Sequence, residues 1–108
     1  MSHLSAHVLD AAAGTPATDV TVELASADGE PIASARTDQD GRVDSLGPER
    51  LAPGRYQVTF GSGDYFARRG TDCFYPSVTV LFTVAADQPH YHVPLLLSPY
   101  SYTTYRGS

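Results

Sequence analysis

The chain has a single cysteine, Cys73, so no intrachain disulfide forms and a disulfide-stapled scaffold is excluded. No uninterrupted apolar stretch approaches the ~18 residues that a membrane-spanning helix requires. The opening, MSHLSAHVLD, lacks the basic start and apolar run of a secretory signal. A basic cluster is also missing: seven Lys plus Arg stand against twelve Asp plus Glu, for a net charge of −5. Binding to nucleic acid depends on cations that neutralise phosphates, so nucleic acid is not an expected partner. The ending Arg106-Gly107-Ser108 does not fit the Ser-Lys-Leu peroxisomal address. These absences predict a cytoplasmic protein that engages neither membrane nor nucleic acid. Internal repeats, low-complexity tracts and linkers are absent as well.

What is present fits one globular domain spanning 1–108. Apolar residues make up 42% of the chain and charged residues 18%, outside the range of disordered segments. A chain of this length buries roughly 60–70% of its unfolded surface, which is enough for a modest core without metal or cross-links. Period two dominates the pattern. Leu4, Ala6 and Val8 alternate with His3, Ser5, His7 and Leu9; Val20, Val22 and Leu24 alternate with Thr21, Glu23 and Ala25. Further runs are Tyr56, Val58, Phe60, then Val78, Val80, Phe82, Val84, then Tyr91, Val93, Leu95, Leu97. Each reads as a half-buried strand. Turn signals separate them at Gly14-Thr15-Pro16, Asp28-Gly29, Asp40-Gly41, Pro53-Gly54 and Gln88-Pro89. The prediction is an all-β sandwich. One segment departs from it: SGDYFARR, 62–69, suits about two turns of helix, capped by Ser62 or Asp64 and stopped by Gly70.

With Tyr91, Val93, Leu95 and Leu97 facing the core, His90, His92, Pro94, Leu96 and Ser98 face outward. Pro94 cannot donate to a ladder, which suits a strand edge or a bulge. Leu96 among histidines makes this face mixed rather than solvated. Such a face, followed by Tyr100, Tyr102 and Tyr105, predicts a subunit interface and hence an oligomer.

The four histidines form two same-parity sets, His3/His7 and His90/His92, each able to present imidazoles on one strand face. Two readings stand: an acid/base or metal site, because histidine titrates near neutrality, and plain surface histidines. His7, His90 and His92 could supply three zinc ligands if their strands converge, but no metal motif of recognised spacing is present and zinc is not expected. There is no Gly-x-Ser-x-Gly elbow, and Cys73 in TDCFYP reads as a small, partly buried residue. Arg68 and Arg69 read as a solvated helix face. Arg42, just past the turn in DQDGRV, reads alone as a loop charge; Arg106, at the end of an aromatic strand, is harder to assign to solvent.

LSAHVLD at 4–10 with GTPA at 14–17, FYPSVTVLFTV at 74–84 and HYHVPLLLSPYSYTTYRGS at the end resemble the transthyretin-like proteins over essentially the whole chain. The terminal YRGS resembles the mark of their 5-hydroxyisourate hydrolase branch. The resemblance implies an eight-stranded transthyretin-type sandwich with one short helix. Two subunits would pair edge to edge, and two dimers would stack into a homotetramer with active sites in the channel between them. It implies cofactor-free hydrolysis of 5-hydroxyisourate to 2-oxo-4-hydroxy-4-carboxy-5-ureidoimidazoline, on the route from urate to allantoin. The family's catalytic set falls on His7, Arg42 and His92. Substrate binding falls on His7, Arg42, Tyr105, Arg106 and Ser108, with Gly107 completing the wall. His3 and His90 match no family site position, and Ala6 stands where relatives often carry threonine. On this reading His7 and His92 share the proton transfers in either order, and Arg42 holds the substrate's oxygens and the developing oxyanion. Tyr105 and Ser108 would hydrogen-bond the purine-like edge, and Arg106 would add positive charge. The alternative is a carrier of a small thyroid-hormone-type ligand, which has no need of His7, Arg42, His92 and YRGS together.

Overall fold

The computed structural model describes residues 2–107. All five alternating runs are strands. In chain order the elements are β1 (Leu4–Asp10), β2 (Thr15–Pro16), β3 (Thr21–Ser26), β4 (Pro31–Arg36), β5 (Arg42–Val43), β6 (Gly54–Phe60), α1 (Ser62–Arg68), β7 (Val78–Val84), β8 (Tyr91–Ser98) and β9 (Ser101–Thr104). Seven strands have four or more residues, and two-residue β2 and β5 supplement them, against the eight implied by resemblance. β4 escapes the alternation rule because PIASAR has one large apolar residue, Ile32, and lies at a sheet edge, where little is buried.

The strands form two sheets. One runs β2-β1-β8-β9, with β5 also paired to β1; the other runs β4-β3-β6-β7. Side chains of one parity from each sheet meet in a core that includes Leu4, Val8, Leu24, Val58, Phe60 and Leu95, all essentially inaccessible to solvent. Burial of each such side chain contributes about 1.5–3 kcal/mol. β7 and β9 are open edges, each paired on one side.

The helix lies where expected, but its cap differs. Gly61 occupies the cap position without a side-chain hydrogen bond, and Ser62 Oγ donates instead to the Tyr75 carbonyl at 3.1 Å. Gly70 ends the helix with φ +67°, its N–H reaching the Ala67 carbonyl at 3.1 Å. The two arginines are not simply solvated. Arg68 pairs with Asp19 at 3.5 Å, and Arg69 Nε approaches the buried Asp10 carboxylate at 3.8 Å. The buried Tyr65 hydroxyl donates to Asp10 at 2.7 Å, tying the helix to the end of β1; burial and this carboxylate push the phenol up to about 12. Cys73 is half-buried against the core. Among the described residues no helix is long and apolar enough to cross a membrane.

Pro94 lies on an inner strand, not an edge. Odd residues of β8 bond toward β1: the Tyr91 N–H reaches His3 O, and Leu97 O accepts from Ala11. Even residues therefore bond toward β9, and Pro94 has no N–H to offer there. The β8/β9 ladder runs from Ser98↔Ser101 to Leu95↔Thr104, lapses beside Pro94, and resumes in the same register at His92↔Gly107. Thr104 Oγ1 donates to the Pro94 carbonyl at 2.8 Å and closes the gap. The interruption frees Tyr105 and Arg106 from the ladder while Gly107 stays anchored.

Candidate active site

The outer face of the β2-β1-β8-β9 sheet collects the polar side chains that the core rejects. β1 and β8 are parallel, with Ser5 opposite His92, His7 opposite Pro94 and Leu9 opposite Leu96. β5 is antiparallel to β1, with His7 opposite Arg42 and the buried Val43 opposite Ala6. Cross-strand partners share a face, so Ser5, His7, Arg42 and His92 all project outward together. The His7 and His92 rings are tilted, with centroids 6.5 Å apart.

The DQDGR turn holds this geometry. Asp38 Oδ1 accepts from the N–H groups of Asp40 at 2.8 Å and Arg42 at 2.9 Å. The bond to Arg42 foremost holds the Asp38 carboxyl below its ordinary value; burial opposes it, and the bond to Asp40 and then Arg42 and His7 add to the lowering. Gly41 takes φ +75°, and a Cβ there would strike the Val8 carbonyl, so glycine alone fits. The turn leaves the Asp40 carbonyl 2.9 Å from His7 Nε2. A carbonyl only accepts, so His7 carries its proton on Nε2 and turns Nδ1 elsewhere.

His92 is fixed differently. Its Nδ1 lies 2.8 Å from Ser5 Oγ, which also lies 2.9 Å from His90 Nε2. Burial lowers the His92 pKa, and the Arg42 charge and the His7 and His90 rings lower it further, with Asp44 pulling weakly the other way. Gly107 packs flat on this imidazole: a Cβ there would stand 2.5 Å from His92 Cδ2, and its N–H donates to the His92 carbonyl at 2.9 Å. Arg106 and Tyr105 border a cavity of about 330 Å³ with Val80, Phe82, Tyr91 and His92. The Arg106 guanidinium sits 5.5 Å over the Tyr91 ring, toward the core side rather than over the imidazoles. Arg106 also borders a second, open cavity with Gln88, His90 and Gly107. Ser108 lies outside the described residues.

The histidines therefore regroup. His3 does not join His7: it is buried, its Nδ1 accepts from the Leu51 N–H at 2.9 Å and its Nε2 donates to the Gln88 carbonyl at 2.7 Å. His7, His92 and Arg42 are brought together, and His90 joins them through Ser5. Ser5, Asp38 and the Asp40 carbonyl are the supporting groups that motif reading missed. Ser5 shares the parity of His7 two residues away, which is the signal that could have found it. Among the described residues no three His, Cys, Asp or Glu side chains are grouped to hold a metal ion.

A two-layer β-sandwich carrying an imidazole–guanidinium cluster on an outer sheet face defines the class: a transthyretin-type fold with a polar sheet-face site. The sequence model of the HIUase/Transthyretin family matches residues 4–107. The chain is 45% identical over 117 residues to the 5-hydroxyisourate hydrolase of Pseudomonas aeruginosa, covering all of this chain and 93% of that one. It is 42% identical over 113 residues to the mouse (Mus musculus) enzyme of the same name, covering 99% and 96%. The solved structure of Klebsiella pneumoniae 5-hydroxyisourate hydrolase superposes with a TM-score of 0.91 at 38% identity, covering 99% of this chain and 100% of that one. The chain belongs to the HIUase/transthyretin family.

Proposed function

We propose that the protein is a hydrolase that opens 5-hydroxyisourate to 2-oxo-4-hydroxy-4-carboxy-5-ureidoimidazoline in urate breakdown, acting as one transthyretin-like domain over 1–108. The observation that carries this reading is the convergence of His7, Arg42 and His92 on one outer sheet face, in a chain whose relatives bear that enzyme's name. A carrier of an apolar ligand gains nothing from three polar groups aimed at one point, whose desolvation would oppose binding.

Hydrolysis of a ring amide needs a base for water, donors for the oxygen that gains charge and a proton for the leaving nitrogen. His92 is the base. Its lowered pKa keeps the ring neutral at physiological pH, and with Nδ1 engaged by Ser5 its Nε2 is the nitrogen left for water. His7 is the acid: its Nε2–H stays fixed on Asp40, and Nδ1, once the ring has taken up a second proton from solvent, gives that proton to the leaving nitrogen. Arg42, opposite His7, holds the substrate's oxygens and the oxyanion. By the family resemblance Tyr105 and Ser108 bind the purine-like edge, and Arg106, which borders both cavities, adds charge at the rim. No cofactor takes part.

The assembly we propose is a homotetramer in the cytoplasm. The edge strands β7 and β9 pair subunits edge to edge, and the half-buried face bearing Leu96 and His92 stacks dimer on dimer around the site. Protein added to 5-hydroxyisourate freshly made by urate oxidase should speed the loss of its ultraviolet absorbance, with or without chelator. Decay at the spontaneous rate would exclude the enzyme. Deleting residues 105–108 should abolish the acceleration and leave the circular dichroism of the sandwich intact.

A further inference from the structure

His92 as base raises a difficulty. Taking a proton from water would leave an imidazolium facing the Arg42 guanidinium, with the His7 and His90 rings close by, Arg106 bordering a shared cavity and Asp44 alone as a weak counter-charge. Yet the ring is not isolated. Its second nitrogen meets the Ser5 hydroxyl, which meets the His90 Nε2, and His90 borders the open cavity with Gln88, Arg106 and Gly107. A serine hydroxyl has one proton to give and lone pairs to receive, so between two imidazoles it donates to one ring and accepts from the other. Among the described residues no hydrogen bond engages His90 Nδ1.

We propose that Ser5 and His90 form a proton relay that drains His92 during hydrolysis: His92 takes the water's proton at Nε2 and passes one from Nδ1 through the Ser5 hydroxyl to His90 Nε2, and His90 releases one from Nδ1 to solvent. The inference rests on the hydrolase reading. Every group in the chain gains one proton and loses one: N–H bonds form at His92 Nε2 and His90 Nε2, N–H bonds break at His92 Nδ1 and His90 Nδ1, and the Ser5 O–H is exchanged. The water becomes the hydroxide that attacks the carbonyl, and no imidazolium accumulates at His92. Before the reaction both rings carry their proton on Nδ1, and Ser5 donates to His90. Ser5 and His90 act through His92 and touch no substrate atom; they are positioning residues. His90 is thereby given a task that the family resemblance did not assign to it.

The test uses the full-length protein, with Ser5→Ala, Ser5→Thr and His90→Gln. Glutamine keeps an acceptor for Ser5 but cannot pass a proton on. Ser5→Ala and His90→Gln should each lower kcat on the order of 10–100-fold, a part of the 10²–10⁴ that positioned proton transfer supplies, with KM within about threefold. Their double variant should be no worse than either single, because the two act as one unit. Ser5→Thr, which keeps the hydroxyl, should stay within about threefold of the unsubstituted protein. The dependence of kcat on deuterium fraction should be curved in the unsubstituted protein, as several protons move together, and straighten in Ser5→Ala. Nitrogen-15 NMR of the unsubstituted protein should place the His92 proton on Nδ1, a readout that no folding defect can disturb. A His92 proton on Nε2, or full activity in His90→Gln, would overturn the relay while leaving the hydrolase intact. An unsubstituted protein that fails to hydrolyse 5-hydroxyisourate would overturn the hydrolase reading and the relay together.

Discussion

The two outer faces of the sandwich arise from the same alternating pattern and could hardly differ more. Outside the β4-β3-β6-β7 sheet stand Glu23, Thr79, Leu81 and Thr83, all exposed, with Thr59 and Thr79 sharing a 2.9 Å hydroxyl contact. A shallow hollow there, bordered by Glu23, Ala25, Ala33, Gln57 and Thr59, brings no titratable groups other than Glu23. Outside the β2-β1-β8-β9 sheet, Ser5, His7, His92 and Leu96 are half-buried and Pro94 is buried, although no layer of this chain covers them. One face is an ordinary wet surface. The other holds its imidazoles half-buried beside an apolar Leu96.

The largest expected effect breaks the second face at its centre. Arg42→Ala and His92→Ala should each lower kcat/KM for 5-hydroxyisourate by about 10²–10⁴ while the proton-exchange protection of the core strands is unchanged. Both side chains lie outside the core, so little stability depends on them. A variant whose rate stays within twofold would remove that residue from the mechanism.

Gly107→Ala comes next. A methyl group there meets the His92 ring at 2.5 Å, so the ring or the tail must move. We expect a fall in kcat on the order of 10-fold, since displacement of a proton-transfer group by about an ångström is costly. A crystal structure of the variant with His92 unmoved, or an unchanged kcat, would show that the tail yields instead.

That contact shows how far the sequence can be read. The five strands were legible because a half-buried strand must alternate, and the helix because SGDYFAR interrupts that alternation. β4 was not, since at a sheet edge its side chains bury little. Of the site, His7, Arg42 and His92 come from the family resemblance, and the register of β1 with β5 and β8 gives them a common face. Spacing grouped His3 with His7, but His3 is satisfied at both nitrogens inside the fold and belongs to the core. For Ser5 the parity with His7 gives only its face; its importance is a contact with His92, 87 positions away, which no motif marks. Pro94 reads in the sequence as a strand edge or bulge; its missing donor does interrupt a ladder, but on an inner strand.

A smaller effect sharpens the contrast electrostatically. His92 has a folded pKa below its ordinary 6.5, because burial and then Arg42 disfavour its charged form. As pH falls through about 6.5 the unfolded chain takes up this proton first, so the stability this residue contributes is full above that pH and declines below it. The acid limb of kcat/KM should accordingly lie below 6.5. NMR titration of His92 in Arg42→Ala should move its midpoint upward toward 6.5; an unmoved midpoint would mean that burial alone sets it.

The smallest effect belongs to the wet face. Thr59→Ala and Thr79→Ala remove a hydroxyl pair that water can replace on both sides, so neither leaves a buried group unsatisfied. Each should change unfolding free energy by about 0.5 kcal/mol or less in denaturant titration, and kcat by no more than the error of the assay. β6 and β7 keep their backbone ladder, which pairs all seven residues of each strand and does not depend on these side chains. A loss of activity in either variant would mean that the second sheet communicates with the imidazole face through the shared core. The difference between the two faces would then be one of degree, because Val58 and Phe60, buried on the other side of β6 from Thr59, would be transmitting strain to β1 and β8.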